Sequence, residues 1–193
     1  MKKLNSDAVK IIPLGGLEQI GMNITAIEYE DSIIVIDCGL AFPEDDMLGI
    51  DLVIPDVTYL KENADKVKGL VVTHGHEDHI GAIPYIEKEL NMPIYATKAT
   101  IGAIKCTKSV GNIDDELFHP IEAGVDFTIG DIEFEPLHIS HDAADPVAYR
   151  FKNENHAMAV VTDLGTYDDA LVSKLQNLDG LLLEANHDIN MLQ

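Results

Sequence analysis

The chain is 193 residues long, is 46% hydrophobic by composition and carries a formal net charge of −21. One domain holds roughly 100 to 200 residues, so this length fits a single domain with a sizeable core. The acidic balance argues against generic nucleic-acid affinity, because phosphate binding ordinarily shows a basic surface. It does not exclude nucleic acid, since bound divalent cations would add positive charge locally.

Targeting segments and cysteine motifs are not apparent in the sequence. No stretch approaches the roughly 20 apolar residues of a membrane span, and no apolar signal-peptide region follows Lys2 and Lys3. Cys38 and Cys106 form no disulfide or metal motif, which suits a reducing compartment. We therefore expect a cytoplasmic protein without membrane contact.

Short strands interrupted by amphipathic helices are predicted along the chain. Strand patterns fall at residues 9–13, 23–29, 32–37, 70–73, 93–96, 127–129, 132–137, 147–151, 157–161 and 180–183. Helical patterns fall at residues 58–66, 80–90, 99–107 and 168–175. The first three strands indicate an antiparallel meander. Because no repeat or linker interrupts the pattern, we expect one α/β unit over residues 1–193, with helices covering sheets.

Two early features each allow two interpretations. Gly15 and Gly16 suit either a hairpin turn or a close backbone approach to a phosphate, but neither of the glycine-rich nucleotide-binding motifs occurs. Asp37 ends an apolar strand. It is either a turn residue or a carboxylate that orients a ligand histidine through its other ring nitrogen.

The sequence THGHEDH at residues 73–79 carries most of the chemical information. Imidazole and carboxylate groups are ligands suited to zinc and its neighbours. Alternate residues at a strand end can aim His74 and His76 at one ion, while Asp78 and His79 face a second. The intervening Glu77 is expected to face solvent or to favour the start of the following helix.

Two later strand ends extend this predicted metal site. His141 can complete a three-histidine set, and Asp163 can bridge two ions. Bridged ions roughly 3.5 to 4 Å apart clamp the attacking and leaving oxygens in hydrolysis, and their bound water becomes a hydroxide near neutral pH. His138 is expected to pack or to orient a neighbour instead.

A lysine-containing segment at residues 90–113 lacks acidic residues. Its lysines are Lys98, Lys105 and Lys108. They could guide a polyanion toward the metal site or could form an ordinary solvated helix face, and the sequence favours neither.

These motifs carry a family resemblance. The His-x-His-x-Asp-His signature, with His141 and Asp163, resembles the metallo-β-lactamase fold, a four-layer αββα sandwich with metals at one edge. The sequences PLGGLEQIGMN, DCGLAFP and GIDLVIPD, which begin at residues 13, 37 and 49, resemble ribonuclease J. The later sequences ISHDAADPV, TDLG and LEANHDINML instead resemble the YycJ-type single-domain exonucleases.

We interpret the chain as a hybrid that is similar to ribonuclease J up to about residue 95 and to the YycJ type afterwards. It has no counterpart of the β-CASP domain that ribonuclease J inserts. The resemblance implies a metal-dependent phosphodiester hydrolase, a nuclease acting on RNA or DNA, with two ions of zinc or manganese and a bridging hydroxide. The implied ligands are His74, His76 and His141 for the first ion, Asp78 and His79 for the second, and Asp163 between them.

The resemblance also implies roles for the remaining candidate residues. Asp78 is expected to orient the nucleophile, and Asp37, Ser140 and His187 to contact substrate or ligand residues. Both families supply a further histidine after the last strand, whereas this sequence ends at Gln193. We therefore expect a C-terminally incomplete fold and a weakened second metal site.

Two other functions remain open. Because a fold does not fix a function, the chain is alternatively a small-molecule hydrolase acting on a thioester, lactone or cyclic phosphate. A third possibility is a catalytically weak or inert metal-binding fragment.

Overall fold

Two β-sheets form the centre of the molecule. The computed structural model of the chain describes residues 8–17, 21–43, 47–153 and 155–184. The first sheet holds, in spatial order, β1 (Lys10–Gly15), β2 (Ile24–Tyr29), β3 (Ser32–Ile36), β4 (Val67–Val71), β5 (Ile94–Thr97) and β6 (Phe118–Ile121). The second holds β11 (Gly180–Leu183), β10 (Ala157–Val161), β9 (Val147–Lys152), β8 (Ile132–His138) and β7 (Phe127–Ile129).

Helices of four to nine residues connect these strands. They are α1 (Thr58–Glu62), α2 (Glu77–Ile80), α3 (Ile83–Leu90), α4 (Lys98–Cys106) and α5 (Asp169–Lys174), with a 3-10 helix at Asp115–Leu117. Among the described residues, no helix has the length and apolar character needed to cross a membrane.

Strand direction brings four strand ends to one edge of the molecule. The strands β1, β2 and β3 pair antiparallel, which confirms the predicted opening meander, and β3 pairs parallel with β4. In the second sheet β8 and β10 run in the same direction, because each pairs antiparallel with β9. The carboxyl ends of β3 and β4 therefore lie together, as do those of β8 and β10.

The buried strand β3 shows how the layers stack. Its side chains alternate between two cores, as the period of two in a strand requires. Ile33 and Val35 pack in a core with residues of the first four helices, including Leu60 and Ile83. Ile34 and Ile36 instead pack between the two sheets. A strand covered on both faces explains the unbroken run of apolar residues.

A smaller third core completes the architecture. Leu137 of β8 and Val161 of β10 pack there with Leu171 of α5. The order of layers is thus helices, first sheet, second sheet and helix, which confirms the predicted four-layer αββα fold.

The structure differs from the sequence expectation at several elements. Helix α1 ends at Glu62 rather than at residue 66, and β4 begins at Val67 rather than at residue 70. The helix predicted at residues 80–90 begins only at Ile83, as α3 with a proline in its first turn, and the unpredicted short helix α2 precedes it. Strand β6 was not predicted, because its four residues include Pro120. This strand lies at the edge of the first sheet, where proline is tolerated.

Candidate metal centre

The candidate site lies at the edge of the molecule where the carboxyl ends of β3 and β4 meet those of β8 and β10. Asp37 directly follows β3, and Asp163 follows β10 by two residues. The two sheets are joined beside the site by backbone hydrogen bonding, since Val147 N donates to Thr73 O at 2.9 Å. The buried Tyr149 hydroxyl also donates to Val72 O at 2.8 Å. These contacts hold the segment after β4 against the start of β9.

His74, His76 and His141 form one group, here named the outer cluster. One ring nitrogen from each histidine lies within 4.8 Å of the others. His141 Nε2 lies 3.1 Å from His76 Nδ1. The His74 side chain is fully buried, whereas 40% of the His76 side chain is exposed. The outer cluster therefore opens toward solvent on one side.

Two contacts position the loops that carry the outer cluster. The hydroxyl groups of Thr97 and Thr100 donate to the carbonyl oxygens of Asp145 and Ala144 at 3.2 and 3.1 Å, which ties the His141 loop to the start of α4. A Cβ atom at Gly75 would lie 2.7 Å from Ala103 Cβ. Glycine at this position thus lets the two-histidine loop approach α4 closely.

His74, His79 and Asp163 form a second group, the inner cluster. Its ligand atoms also lie within 4.8 Å of one another. Asp163 Oδ2 lies 2.7 Å from His79 Nε2 and 3.4 Å from His74 Nε2. Since His74 belongs to both groups, the two clusters are adjacent.

A buried hydrogen-bond network fixes the ring of His79. His79 Nδ1 donates to Asp37 Oδ2 at 2.9 Å, so its Nε2 faces Asp163. Asp37 in turn accepts from the backbone N–H and the hydroxyl of Thr73, at 2.7 and 2.8 Å. This placement favours the orienting interpretation of Asp37, because a partner on one ring nitrogen sets the direction of the other.

The electrostatics of the inner cluster differ from one histidine to the next. Burial, reinforced by the neighbouring charge of His79, lowers the pKa of His74 to about 2. Burial also opposes protonation of His79, but the charge of Asp37 and the hydrogen bond to Asp163 outweigh it and raise its pKa to about 10. Burial acts to raise the pKa of Asp163, yet the hydrogen bond and charge of His79 hold it below its usual value.

The residues present fit a divalent cation. His74 Nε2 is buried and has no hydrogen-bond partner among the described residues. A buried polar atom without a partner costs about 1 to 3 kcal/mol, and a metal ion would satisfy it. A neutral imidazole beside further imidazoles and a carboxylate is a donor set typical of zinc and related ions. The His/Asp clusters therefore indicate divalent metal binding.

Backbone strain occurs at two carboxylates of the site, the buried Asp37 and the partly buried Asp163. Asp37 has a φ of 57° and Asp163 a φ of 51°. Residues other than glycine adopt this left-handed conformation infrequently, although aspartate and asparagine tolerate it best. Such strain persists where the surrounding structure determines the conformation, and it is concentrated at functional sites.

Sequence reasoning missed two side chains at the site. Asn23 Nδ2 lies 2.9 Å from His79 Nε2 and donates to Asp78 Oδ2 at 3.4 Å. Glu184 Oε2 accepts from Asp163 N at 3.4 Å, and burial and the charge of Asp163 raise the pKa of Glu184. Both residues stand in motifs that carried the family resemblance, but their place at the site was not predictable, because both contacts join distant parts of the chain.

Several predicted residues lie outside the two clusters. Asp78 Oδ2 is 3.6 Å from His79 Nε2, and 39% of this side chain is exposed. The exposed His138 has Nδ1 3.8 Å from Asp145 Oδ1. Exposed Ser140 contributes its carbonyl oxygen to a 2.8 Å hydrogen bond from Gly165 N. The predicted residue His187 lies outside the described part of the chain.

The lysines of residues 90–113 are partly neutralised. Lys98 Nζ lies 4.0 Å from Glu122 Oε1, and Lys105 Nζ lies 2.6 Å from Asp115 Oδ1. These acidic partners come from later segments. The segment is therefore less basic in the folded chain than its own sequence indicated.

Comparisons with known proteins identify the family of the chain and support its fold. The family model described as "Beta-lactamase superfamily domain" matches residues 33–191, and the chain belongs to this superfamily. The metallo-beta-lactamase fold protein YhfI from Bacillus subtilis superposes with a TM-score of 0.64 at 17% identity, over 90% of this chain and 69% of that one. The fold predicted from the sequence is thus confirmed.

Two ribonuclease J sequences are similar over part of the chain. Ribonuclease J 2 of Staphylococcus aureus (strain NCTC 8325 / PS 47) is 49% identical over 117 residues, which cover 61% of this chain and 21% of that protein. Ribonuclease J 1 of Streptococcus pyogenes serotype M3 is 53% identical over 102 residues, covering 53% and 18%. The matches therefore span about a fifth of the length of these relatives. Partial similarity to ribonuclease J is confirmed, whereas the resemblance of the later residues to the YycJ type stays a prediction.

Proposed function

We propose that this chain is a metal-dependent phosphodiester hydrolase that cleaves RNA. The observation that carries the proposal is the pair of adjacent ligand clusters that share His74. The similarity to ribonuclease J favours RNA over DNA as the substrate. Because a fold hosts many activities, the proposal depends on the site together with these relatives.

We assign one ion to each cluster. His74, His76 and His141 would hold the outer ion, and His79 with Asp163 would hold the inner one. Asp163 reaches the Nε2 atoms of both His74 and His79, so its carboxylate suits a bridging position. When bound, two divalent ions polarise a phosphoryl oxygen and acidify the attacking water. Zinc and manganese both suit these nitrogen and oxygen donors.

The protein's own groups supply orientation. Asp37 keeps His79 Nε2 directed at the inner cluster. Asp78, held by Asn23, is partly exposed at the edge of the site. From this position we propose that its carboxylate accepts a hydrogen bond from the attacking water and orients it toward phosphorus. Asp78 is then a catalytic residue and contributes to the inner site.

A cleavage assay tests the proposed function. Labelled single strands of RNA and DNA of one sequence are incubated with the protein and manganese or zinc, and the products are separated by length. We expect metal-dependent cleavage of RNA that a chelator abolishes. Asp163→Asn preserves shape but removes the bridging charge, so we expect it to bind one ion fewer and to lose nearly all activity.

The control variant is His156→Ala. His156 pairs with Asp179 before the start of β10, whereas Asp163 follows the other end of this strand. Its removal should leave cleavage unchanged. Metal-independent cleavage, or full activity in Asp163→Asn, would contradict the proposal. Turnover of a thioester or cyclic phosphate without strand cleavage would support the small-molecule alternative instead.

A further inference from the structure

A cleft of about 450 Å³ opens beside His141. It lies between the loop that follows β8 and the segment that leads from β10 into α5. Small-molecule sites commonly have volumes of roughly 300 to 1,000 Å³, so one nucleoside fits. Since His141 contributes to both the outer cluster and the cleft wall, a ligand in the cleft would adjoin the metal site.

Tyr167 lines this cleft and is 73% exposed. A single exposed aromatic side chain is ordinary on a protein surface, so its exposure alone carries no weight. The location of Tyr167 is informative, because its side chain borders the same cleft as His141. An accessible aromatic face beside a hydrolytic site is a platform on which a nucleobase can stack.

The charges of the cleft select the part of a nucleotide that enters it. Among the described residues that line it, His138 and His141 are basic and no lysine or arginine is present. Asp168 accepts from Leu171 N at 2.8 Å, and Asp145 lies 3.8 Å from His138. Carboxylates repel a phosphate but accept hydrogen bonds from ribose hydroxyl or base amino groups. The cleft therefore favours the sugar and the base over the phosphate, which the adjacent metal ligands suit better.

We propose that this cleft binds the nucleoside next to the scissile phosphate, with the base stacked on Tyr167. The inference rests on the proposed phosphodiesterase function. Stacking is tolerant of sequence because every base offers a π-face. The cleft therefore distinguishes nucleotides from other phosphate esters without selecting one base.

Binding measurements on the zinc-loaded chain test the inference without turnover. Calorimetry compares adenosine 5′-monophosphate with ribose 5-phosphate, which shares the sugar and phosphate but lacks the base. We expect the nucleotide to bind roughly tenfold more tightly, as stacking on one aromatic ring gives. In Tyr167→Ala this ratio should fall toward one, and Tyr167→Phe should retain it.

Tyr85→Ala is the matched control, because Tyr85 is also exposed but does not line the cleft. It should keep the full ratio. An unchanged ratio in Tyr167→Ala, or equal binding of the two ligands by the original chain, would overturn the inference. Failure of the proposed function is distinguishable, since it is seen as absent strand cleavage even where the nucleotide ratio depends on Tyr167.

Discussion

The inner and outer clusters share His74 but are held by different parts of the structure. In the inner cluster, His79 is fully buried and is fixed by Asp37, which Thr73 orients in turn. In the outer cluster, His76 and His141 lie on loops and remain partly exposed. In the inner cluster a hydrogen bond thus fixes the ring of a ligand directly. In the outer cluster, hydrogen bonds fix the His141 loop rather than the imidazole rings.

This difference bears on metal affinity. Ligands fixed by packing and by buried hydrogen bonds are preorganised, so less conformational entropy is lost when an ion binds. The inner cluster also contains a carboxylate, which favours a divalent cation electrostatically. The partly exposed side chains of His76 and His141 retain more conformational freedom, and water competes with them for the metal ion. Preorganisation therefore favours retention of the ion at the inner cluster over the outer one, in contrast to the weakened second site that the family resemblance implied.

Removing the shared ligand is expected to have the largest effect. His74→Ala should abolish binding of the outer ion and should weaken the inner site, since His74 Nε2 also contacts Asp163. Cleavage should fall roughly 10³-fold or more, because the two ions together lower the barrier by several kcal/mol. Metal content by mass spectrometry and initial cleavage rates measure this. An inner ion held as tightly as in the original chain would show that His74 supports the outer cluster alone. His156→Ala serves again as the histidine control.

Removing a ligand of the outer cluster tests whether the inner cluster binds its ion independently. His76→Ala should reduce bound metal from two ions to one and eliminate most cleavage, while circular dichroism stays unchanged. The fold should persist because the sheets pack around apolar cores, unlike a small zinc finger that folds only with its metal. Loss of both ions would contradict the independent support of the inner cluster.

Removing the orienting carboxylate should have the smallest effect of the three. Asp37→Asn can still accept from Thr73 but no longer offers a charged partner to His79. Loss of such a supporting group lowers metal affinity roughly 10- to 100-fold. Competition with a chromophoric chelator measures it. Since Asp37 contacts His79 and not the outer ligands His76 and His141, an equal loss at both clusters would contradict the comparison.

Local sequence was sufficient to predict most elements and to locate the residues that form the two His/Asp clusters. Strands β7, β10 and β11 lie at their predicted bounds, because alternating or continuous apolar residues are a local property. The segments that carry the candidate ligands were located for the same reason, since each follows a strand; their role as metal ligands stays a prediction. Strand β6 was missed because Pro120 is unfavourable within a strand, and only the edge position beside β5 accommodates it.

The sequence by itself determined which imidazole and carboxylate groups were available and that they follow strands. Only the tertiary structure decided which of their atoms face one another. His74 joins both clusters, Asp37 contacts His79, and Asn23 reaches Asp78, each through packing of segments far apart in sequence. These contacts depend on how the two sheets pack around the core between them. That packing depends on the whole chain, so it cannot be predicted from any single motif.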